Sequence, residues 1–302
     1  MTTPRPVGIV APLATPLDLD ERLDRVTLAQ HLEWVLPLLD GVFVLGTSGE
    51  FALLRSEVAD AMVDATVAQV AGRLPVYVGV GDTGTTRALG NLRRARDAGA
   101  TYAVACGPYY YSATSPEALA AHFEAIADAS ELPVLLYNIP QNTVSALTGP
   151  SVARLALHPN IAGIKDSSGD LFQFQRFLDC RSDSFRVLQG REQLAAASLW
   201  LGADGIISTL ANFAPRLLQQ LRTAVDVGDR SAALALQDRI TALARVFDQG
   251  HWVSALKGAL AELGMGGGRP AAPLPACTVD QRIAIRALLD TAGIAGFERV
   301  DG

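Results

Sequence analysis

The chain has 302 residues and a formal net charge of −6, and its Lys, Arg, Asp and Glu residues are dispersed along it. Such dispersal argues against a nucleic-acid surface, which needs clustered basic residues. Although 49% of the residues are apolar, no stretch approaches the ~20 uninterrupted apolar residues of a membrane span. The first residues, MTTPRPVGIV, also lack the basic-then-apolar order of a signal peptide. We therefore expect a cytoplasmic protein with small-molecule partners, without nucleic acid or membrane among them.

The cysteines and histidines give no sign of a metal site. The four histidines fall in or beside predicted helices and show no metal-ligand spacing. The spacing of the three cysteines suits neither a disulfide framework nor a zinc site. These cysteines are Cys106, Cys180 and Cys277. We expect ordinary buried or half-buried thiols, no metal and no cofactor.

Eight short apolar runs recur along the chain, each separated from the next by an amphipathic helical pattern. Continuous rather than alternating apolarity is typical of parallel strands that are buried on both faces. Two of the helical patterns, 56–72 and 115–130, begin with a serine that could cap the helix. Gly99 and Gly202 stand at helix ends just before the fourth and eighth strands. The predicted strands are 7–13, 41–46, 75–80, 101–106, 133–138, 161–165, 185–190 and 204–209.

Eight strands alternating with helices predict an α/β fold, a (β/α)8 TIM barrel with a helical C-terminal extension. A doubly wound open sheet is the second choice, and it is weakened because no Gly-x-Gly-x-x-Gly motif follows the first strand. After about residue 215 the strand patterns stop. We assign residues 1–225 to the barrel and 226–302 to a C-terminal helical extension of the same domain. The Gly- and Pro-rich stretch 264–275 is predicted to be a loop between helices.

The chemistry of such a barrel is expected at the carboxyl ends of its strands. Lys165 closes the predicted sixth strand, in the sequence IAGIKDSSGD, and Tyr137 ends the fifth strand at the equivalent position. If both side chains point inward, they converge. A lone lysine at a strand end more often reaches solvent, or here pairs with Asp166.

A buried lysine at this position has a specific use. A neutral amine attacks a ketone to form a Schiff base, whose iminium accepts electrons when the adjacent carbon–carbon bond breaks or forms. Apolar surroundings favour the neutral amine. A tyrosine hydroxyl beside the lysine could move the protons that this chemistry requires.

Two further strand ends carry unusual residues. The loop GTSGE (46–50) follows the second strand, and its backbone amides, expected at the start of a helix, could hold a carboxylate. The alternative is a tight turn with Thr47 or Ser48 as helix cap. Three tyrosines, 109–111, follow the fourth strand, where surface or interface packing is the commoner role for such residues.

Taken together, GTSGE, PYYY, YNIP and GIKDSSGD, in this order and at these strand ends, resemble the dihydrodipicolinate synthase/N-acetylneuraminate lyase family of class I aldolases. The resemblance covers essentially the whole chain. It implies that Lys165 forms the Schiff base with pyruvate or another 2-oxo acid and that Tyr137 is the proton shuttle. It also implies that Thr47 and Ser48 bind the carboxylate of the 2-oxo acid, with Thr47 linking two tyrosines.

The resemblance assigns further positions as well. Tyr110 matches a tyrosine that in dihydrodipicolinate synthases reaches the active site of a neighbouring subunit, and enzymes of the family are commonly tetramers built from dimers. Gly190 and Ile207 match backbone positions that line the pyruvate pocket. We therefore expect a homo-oligomer, a dimer or a tetramer, that acts on a 2-oxo acid and an aldehyde.

One departure from the family pattern bears on the substrate. In dihydrodipicolinate synthases an arginine five residues after the strand-five tyrosine holds a substrate carboxylate, and here that position is Asn142. Asparagine carries no charge, so the clamp for aspartate semialdehyde is missing. Arg191, immediately after the seventh strand, is a candidate replacement or a solvated side chain at the rim. We expect a catabolic aldolase for a 4-hydroxy-2-oxo acid or a 2-oxo-3-deoxy sugar acid; the alternative is a 4-hydroxy-tetrahydrodipicolinate synthase of lysine biosynthesis.

Two other classes of protein compete with this interpretation. A barrel that only binds a 2-oxo acid would be free to lose Lys165, which is present. A metal-dependent class II aldolase would need His or carboxylate ligands converging on the strand ends, and the sequence offers none there.

Overall fold

The computed structural model of the chain describes residues 5–113 and 115–297. Eight parallel strands form a closed barrel in which each strand pairs with the next along the chain and β8 pairs with β1. The predicted (β/α)8 barrel is therefore confirmed, with each predicted strand in its place. The strands are β1 (Gly8–Pro12), β2 (Gly41–Val44), β3 (Val76–Gly79), β4 (Tyr102–Cys106), β5 (Val134–Asn138), β6 (Ile161–Asp166), β7 (Arg186–Gln189) and β8 (Gly205–Ile207).

Helices surround the barrel, and several follow its last strand. The helices are α1 (Arg25–Val35), α2 (Ser56–Val70), α3 (Thr85–Asp97), α4 (Pro116–Asp128), α5 (Pro140–Thr143), α6 (Gly149–Leu155), α7 (Leu171–Leu178), α8 (Ala195–Trp200), α9 (Pro215–Asp226), α10 (Arg230–Ala244), α11 (Trp252–Glu262) and α12 (Val279–Thr291). The predicted loop 264–275 lies between α11 and α12. Of the predicted segments 1–225 and 226–302, residues 1–4 and 298–302, as well as Thr114, lie outside the described residues. Within the described residues, no helix is both long and apolar enough to cross a membrane.

The buried apolar residues form two main layers. One layer lies between the strands and the surrounding helices. The other fills the inside of the barrel with side chains from alternate strand positions, as expected for a closed parallel barrel of this size. The inner layer consists of Val10, Phe43, Tyr77, Tyr102, Val104, Cys106, Leu135, Tyr137, Ile139, Leu188 and Ile207.

The helix ends agree with the sequence in part. Ser115 caps α4, because its side chain accepts a hydrogen bond from the amide of Ala118. The capping role of the serine at position 56 was wrong: Ser56 is already the first residue of α2, and the cap position is held by Arg55 without a side-chain hydrogen bond. Gly99 and Gly202, with φ of +89° and +102°, end their helices in the left-handed conformation that glycine adopts readily.

Closure of the barrel between β8 and β1 depends on Gly205. Gly205 of β8 pairs with Gly8 of β1. A Cβ atom at position 205 would lie 2.2 Å from the carbonyl oxygen of Gly8, far inside van der Waals contact. The last strand can therefore approach the first only because Gly205 carries no side chain, whereas a Cβ atom at position 8 would instead meet the side chain of Asp40.

Candidate active site

Lys165 lies inside the barrel near its carboxyl end. It is the penultimate residue of β6, which continues to Asp166, so it does not close the strand as predicted. Its side chain is buried, with 4% exposure of the residue. The Nζ atom lies 4.1 Å from the centroid of the Tyr137 ring and 5.2 Å from that of Phe43. Lys165 thus does not reach solvent, and its amine faces two aromatic rings.

Asp166 does not pair with Lys165. Its carboxylate accepts hydrogen bonds from the side-chain amide of Asn138 (2.7 Å) and the hydroxyl of Ser168 (2.8 Å). Burial raises the pKa of this carboxyl group, and the hydrogen bonds act against that rise. Lys165 therefore neither reaches solvent nor pairs with Asp166, the two structural roles considered for a lysine at this strand end.

Tyr137 is the neighbour of Lys165 across the sheet. The two residues are register partners of the parallel strands β5 and β6, so the predicted convergence of their side chains is observed. The hydroxyl of Tyr137 lies 3.2 Å from the Thr47 hydroxyl, and either group could donate the hydrogen bond. Two hydroxyl groups with exchangeable protons are thus joined by a hydrogen bond beside the lysine.

The loop after β2 is a separate 3₁₀ turn, Thr47–Gly49, and not the start of a helix as expected, because α2 begins only at Ser56. Neither Thr47 nor Ser48 caps a helix, since the turn begins after Gly46 without a side-chain cap. The amides of Thr47 and Ser48 have no acceptor inside the turn. Two hydrogen bonds from other loops hold the turn. The hydroxyl of Ser48 bonds to that of Thr209 (3.1 Å), and the hydroxyl of Thr15 donates to the carbonyl of Gly49 (2.8 Å).

Gly190, the first residue after β7, lies beside Lys165, and Ile207 is the last residue of β8. A Cβ atom at position 190 would lie 2.1 Å from the Ser167 hydroxyl oxygen and 2.8 Å from the backbone carbonyl oxygen of Asp166, so only glycine fits here beside the lysine. Ile207 is buried in the same inner layer as Tyr137. Gly190 therefore lies beside the lysine, and Ile207 lies in the layer that contains Tyr137.

A cavity of about 200 Å³ opens next to these residues. Thr47 and Asn142 line the cavity, whereas Lys165 and Tyr137 do not. The cavity therefore lies on the outer side of the hydrogen bond between the Thr47 and Tyr137 hydroxyl groups. Among the described residues, it is lined by neither arginine nor lysine. The lining residues are Thr47, Glu50, Phe51, Ala52, Leu53, Cys106, Tyr109, Ile139, Asn142, Thr143, His251, Trp252, Val253 and Leu274.

Arg191 lies at the rim, and its guanidinium points toward the loop after β6. The Nε atom donates a hydrogen bond to the carbonyl of Ser167 (2.9 Å). Arg191 is partly buried and does not line the cavity that contains Asn142. The side chain is thus held by a hydrogen bond and does not extend freely into solvent, yet it stands apart from Asn142, the position of the family arginine.

Tyr110 does not lie at the site of its own chain. It is 85% exposed, as is most of Tyr111, and the two rings meet edge to face with centroids 4.9 Å apart. Its φ of +71° is unusual for a residue with a side chain. Tyr109 is the tyrosine that lines the cavity, where it packs against Phe51, and burial raises its pKa to about 12.

Glu192 is a buried acid that the sequence analysis did not identify. It follows β7, and its carboxylate accepts a hydrogen bond from the Ser208 hydroxyl (3.2 Å). Burial raises its pKa, while the hydrogen bond and the nearby charges of Arg191 and Lys165 lower it. The position two residues after Gly190 at a strand end was the only available signal. Elsewhere in the described part of the chain, no three His, Cys, Asp or Glu side chains converge on a possible metal position.

Comparisons with known proteins agree over nearly the whole chain. The model of the dihydrodipicolinate synthetase family matches residues 5–292. An uncharacterized DapA-like lyase of Halobacterium salinarum is 35% identical over 288 residues, covering 95% of this chain and 94% of the relative. A 4-hydroxy-tetrahydrodipicolinate synthase of Xanthomonas campestris pv. campestris is 40% identical over 235 residues, 78% of each chain. The crystal structure of YagE, a prophage protein of E. coli K12 in complex with pyruvate, superimposes with a TM-score of 0.91 at 29% identity, covering 96% of this chain and 99% of YagE.

The buried Glu192 gives a test by pH. Because burial raises its pKa in the folded protein, the folded state holds this proton to a higher pH than the unfolded chain does. Folding stability contributed by the protonated acid is present below the unfolded value, about 4.3, and is lost as the pH rises toward the folded value. The variant Glu192→Gln should not show this loss of folding stability, because glutamine does not titrate. Thermal unfolding should therefore show the variant gaining stability relative to the original protein as the pH rises above about 4.3.

The matched control is Glu57→Gln, which removes one exposed charge in the first turn of α2. Its stability difference should not follow that pH dependence. A Glu192→Gln difference that stays constant across the pH range would contradict the assignment of a buried acid with a raised pKa.

Proposed function

The chain belongs to the dihydrodipicolinate synthetase family of class I lyases, and we propose that Lys165 is its Schiff-base residue for pyruvate or a closely related 2-oxo acid. The observation that carries the proposal is the buried amine of Lys165 against the Tyr137 ring, with the Tyr137 hydroxyl linked to Thr47. Within residues 5–113 and 115–297, the amine of Lys165 forms no ion pair with a carboxylate.

The proposed reaction begins with attack of the Lys165 amine on C2 of the 2-oxo acid. The carbinolamine loses water and leaves an iminium. In the cleavage direction, the 4-hydroxyl group of the substrate loses its proton, the C3–C4 bond breaks, and its electrons move into the iminium to give an enamine as the aldehyde departs. Protonation at C3 and hydrolysis release pyruvate. Tyr137 supplies and removes the protons at these steps, and Thr47 relays them.

The turn after β2 is proposed to hold the carboxylate of the 2-oxo acid. The amides of Thr47 and Ser48 lack acceptors within their turn, and the two hydroxyl groups stand on the same turn. Hydrogen bonds from backbone and hydroxyl donors to a carboxylate are charge-assisted and therefore strong. Gly190 and Ile207 are proposed to close the pocket on the opposite side.

Trapping with borohydride tests the Schiff base directly. Reduction in the presence of pyruvate should add one pyruvyl group to Lys165, because the iminium is reduced to a stable amine. The chain has only two lysines, so peptide mass spectrometry can assign the adduct without ambiguity. Lys165→Ala should lose both the adduct and turnover. An adduct confined to Lys257, or none at all, would rule out the proposed nucleophile.

For the second substrate we propose an aldehyde other than aspartate semialdehyde, with the enzyme acting as a catabolic aldolase on a 4-hydroxy-2-oxo acid or a 2-oxo-3-deoxy sugar acid. The supporting observation is the cavity around Asn142, to whose lining the described part of the chain contributes no arginine or lysine for a second carboxylate. Arg191, bonded to the carbonyl of Ser167 at the rim, is proposed to meet distal polar groups of a longer substrate. The alternative function is that of a 4-hydroxy-tetrahydrodipicolinate synthase, which is the name of the Xanthomonas relative.

The variant Asn142→Arg tests this choice of substrate. A charge-assisted bond to a carboxylate contributes about 1.5–3 kcal/mol, so kcat/KM for aspartate semialdehyde should rise roughly ten- to a hundredfold. The value for a 2-oxo-3-deoxy sugar acid that ends in a hydroxymethyl group, and so carries no second carboxylate, should not rise. Steady-state assays with these substrates measure the ratio. Efficient condensation of pyruvate with aspartate semialdehyde by the unmodified enzyme would favour the alternative.

We also propose that the enzyme is a homo-oligomer, a dimer or a tetramer, in which Tyr110 completes the site of a neighbouring subunit. Two adjacent exposed tyrosines, one with a positive φ, support this proposal. Such large exposed aromatic side chains are characteristic of interfaces.

Removal of one hydroxyl tests the role of Tyr110. Tyr110→Phe should slow turnover by roughly a hundredfold through lost proton transfer, while the pyruvate adduct still forms. Tyr111→Phe, the matched control, should leave turnover near its original value. Light scattering gives the oligomeric state of each protein. A stable monomer as active as the oligomer would contradict the cross-subunit role.

A further inference from the structure

The second lysine of the chain is also buried and close to the proposed site. Lys257 lies in α11 and is 4% exposed. Its ammonium contacts the carboxylate of Glu50 and donates a hydrogen bond to the carbonyl of Arg269 (2.8 Å). Burial lowers the pKa of Lys257, and the charge of Glu50 opposes that change. The proposed chemistry does not use this amine.

Glu50 is directly attached to the turn that carries the proposed carboxylate site. Its own amide closes the turn by donating to the carbonyl of Thr47 (3.1 Å). Its φ of +60° places it in the left-handed region, where a non-glycine residue needs support from its surroundings. That support comes from the side chain: Oε1 accepts from the amide of Ala271 (2.6 Å), and Oε2 contacts the ammonium of Lys257.

The ion pair joins three walls of the cavity. The first wall is the turn after β2, which contains Thr47. The second is the start of α11, where Trp252 and Val253 line the cavity one turn before Lys257. The third is the segment after α11, in which Ala271 bonds to Glu50 and Leu274 lines the cavity.

Stability alone does not account for such a pair. Desolvation of two charges largely cancels their attraction, and a well-packed apolar pair of similar size is often as stable. A buried pair does fix geometry, because an oxygen or ammonium group displaced from its partner is left without water. Here the residue that is fixed is Glu50, which has a positive φ and directly follows the turn of Thr47 and Ser48.

We propose that the buried Glu50–Lys257 pair is a positioning device, which holds the turn of Thr47 and Ser48 in the conformation that receives the substrate carboxylate. The inference rests on the proposed function of that turn. Both residues act through the turn and neither is proposed to touch the substrate. The C-terminal segment is thereby part of the machinery that recognises the 2-oxo acid.

The test compares single and double replacements of the pair. Lys257→Met leaves Glu50 buried without a counter-charge, so the turn should shift. KM for the 2-oxo acid, and the pyruvate concentration that gives half-maximal borohydride adduct on Lys165, should both rise at least roughly tenfold, while kcat falls less. The double variant Glu50→Gln with Lys257→Met removes both charges and keeps an acceptor for Ala271. Its unfolding temperature should therefore recover, whereas KM and the trapping concentration should stay raised at least roughly threefold, because the link from the turn to α11 is still missing.

The matched control is Arg186→Met, which breaks a buried ion pair with Asp204 at the amino-terminal ends of β7 and β8. It should lower the unfolding temperature without changing pyruvate trapping. The proposal is overturned if Lys257→Met leaves the trapping concentration unchanged, if Arg186→Met raises it equally, or if the double variant traps pyruvate at the original concentration. If Lys257→Met does not fold, the double variant decides alone, and unimpaired trapping in that folded protein overturns the proposal.

These outcomes are distinct from failure of the proposed function. If the original protein gives no pyruvate adduct, the Schiff base on Lys165 is wrong. If the original protein gives the adduct and the Lys257→Met protein gives it at the same pyruvate concentration, only the positioning role is wrong.

Discussion

The site depends on the parallel register of β5 and β6. Because Tyr137 and Lys165 are paired across these strands, their side chains leave the sheet on the same face and reach the same depth in the barrel. The amine then lies 4.1 Å from the tyrosine ring centroid, in a place closed to solvent. A slip of one residue would move Lys165 to the outer face and place Asp166 inside.

Around this pair, the barrel mouth holds several buried charged groups, and each is supported by named contacts. Asp166 is held by Asn138 and Ser168, Glu192 by Ser208, and Glu50 by Lys257. Buried charges without such contacts would be costly. Lys165 is different because its contacts are aromatic rings. This contrast supports a reactive role for Lys165 and a structural role for the other groups.

The sequence predicts those features that depend on local pattern. The continuous apolar runs located all eight strands, and the equivalent strand positions of Tyr137 and Lys165 predicted that they meet. The partner of Glu50 could not be predicted, because Lys257 is more than two hundred residues away and only the closed fold brings them together. The predicted capping role of Ser56 was wrong, because a serine at the start of a helical pattern does not determine which residue is the cap. Tyr110 lies outside its own site, and a single chain does not show what it meets.

A crystal structure of the protein soaked with pyruvate would test the central claim most directly. The account predicts continuous electron density from Nζ of Lys165 to C2 of the 2-oxo acid, with its carboxylate on the amides and hydroxyls of Thr47 and Ser48. It also predicts that Glu50 and Lys257 remain paired behind that turn. Pyruvate bound elsewhere, with Lys165 unmodified at saturating concentration, would contradict the account.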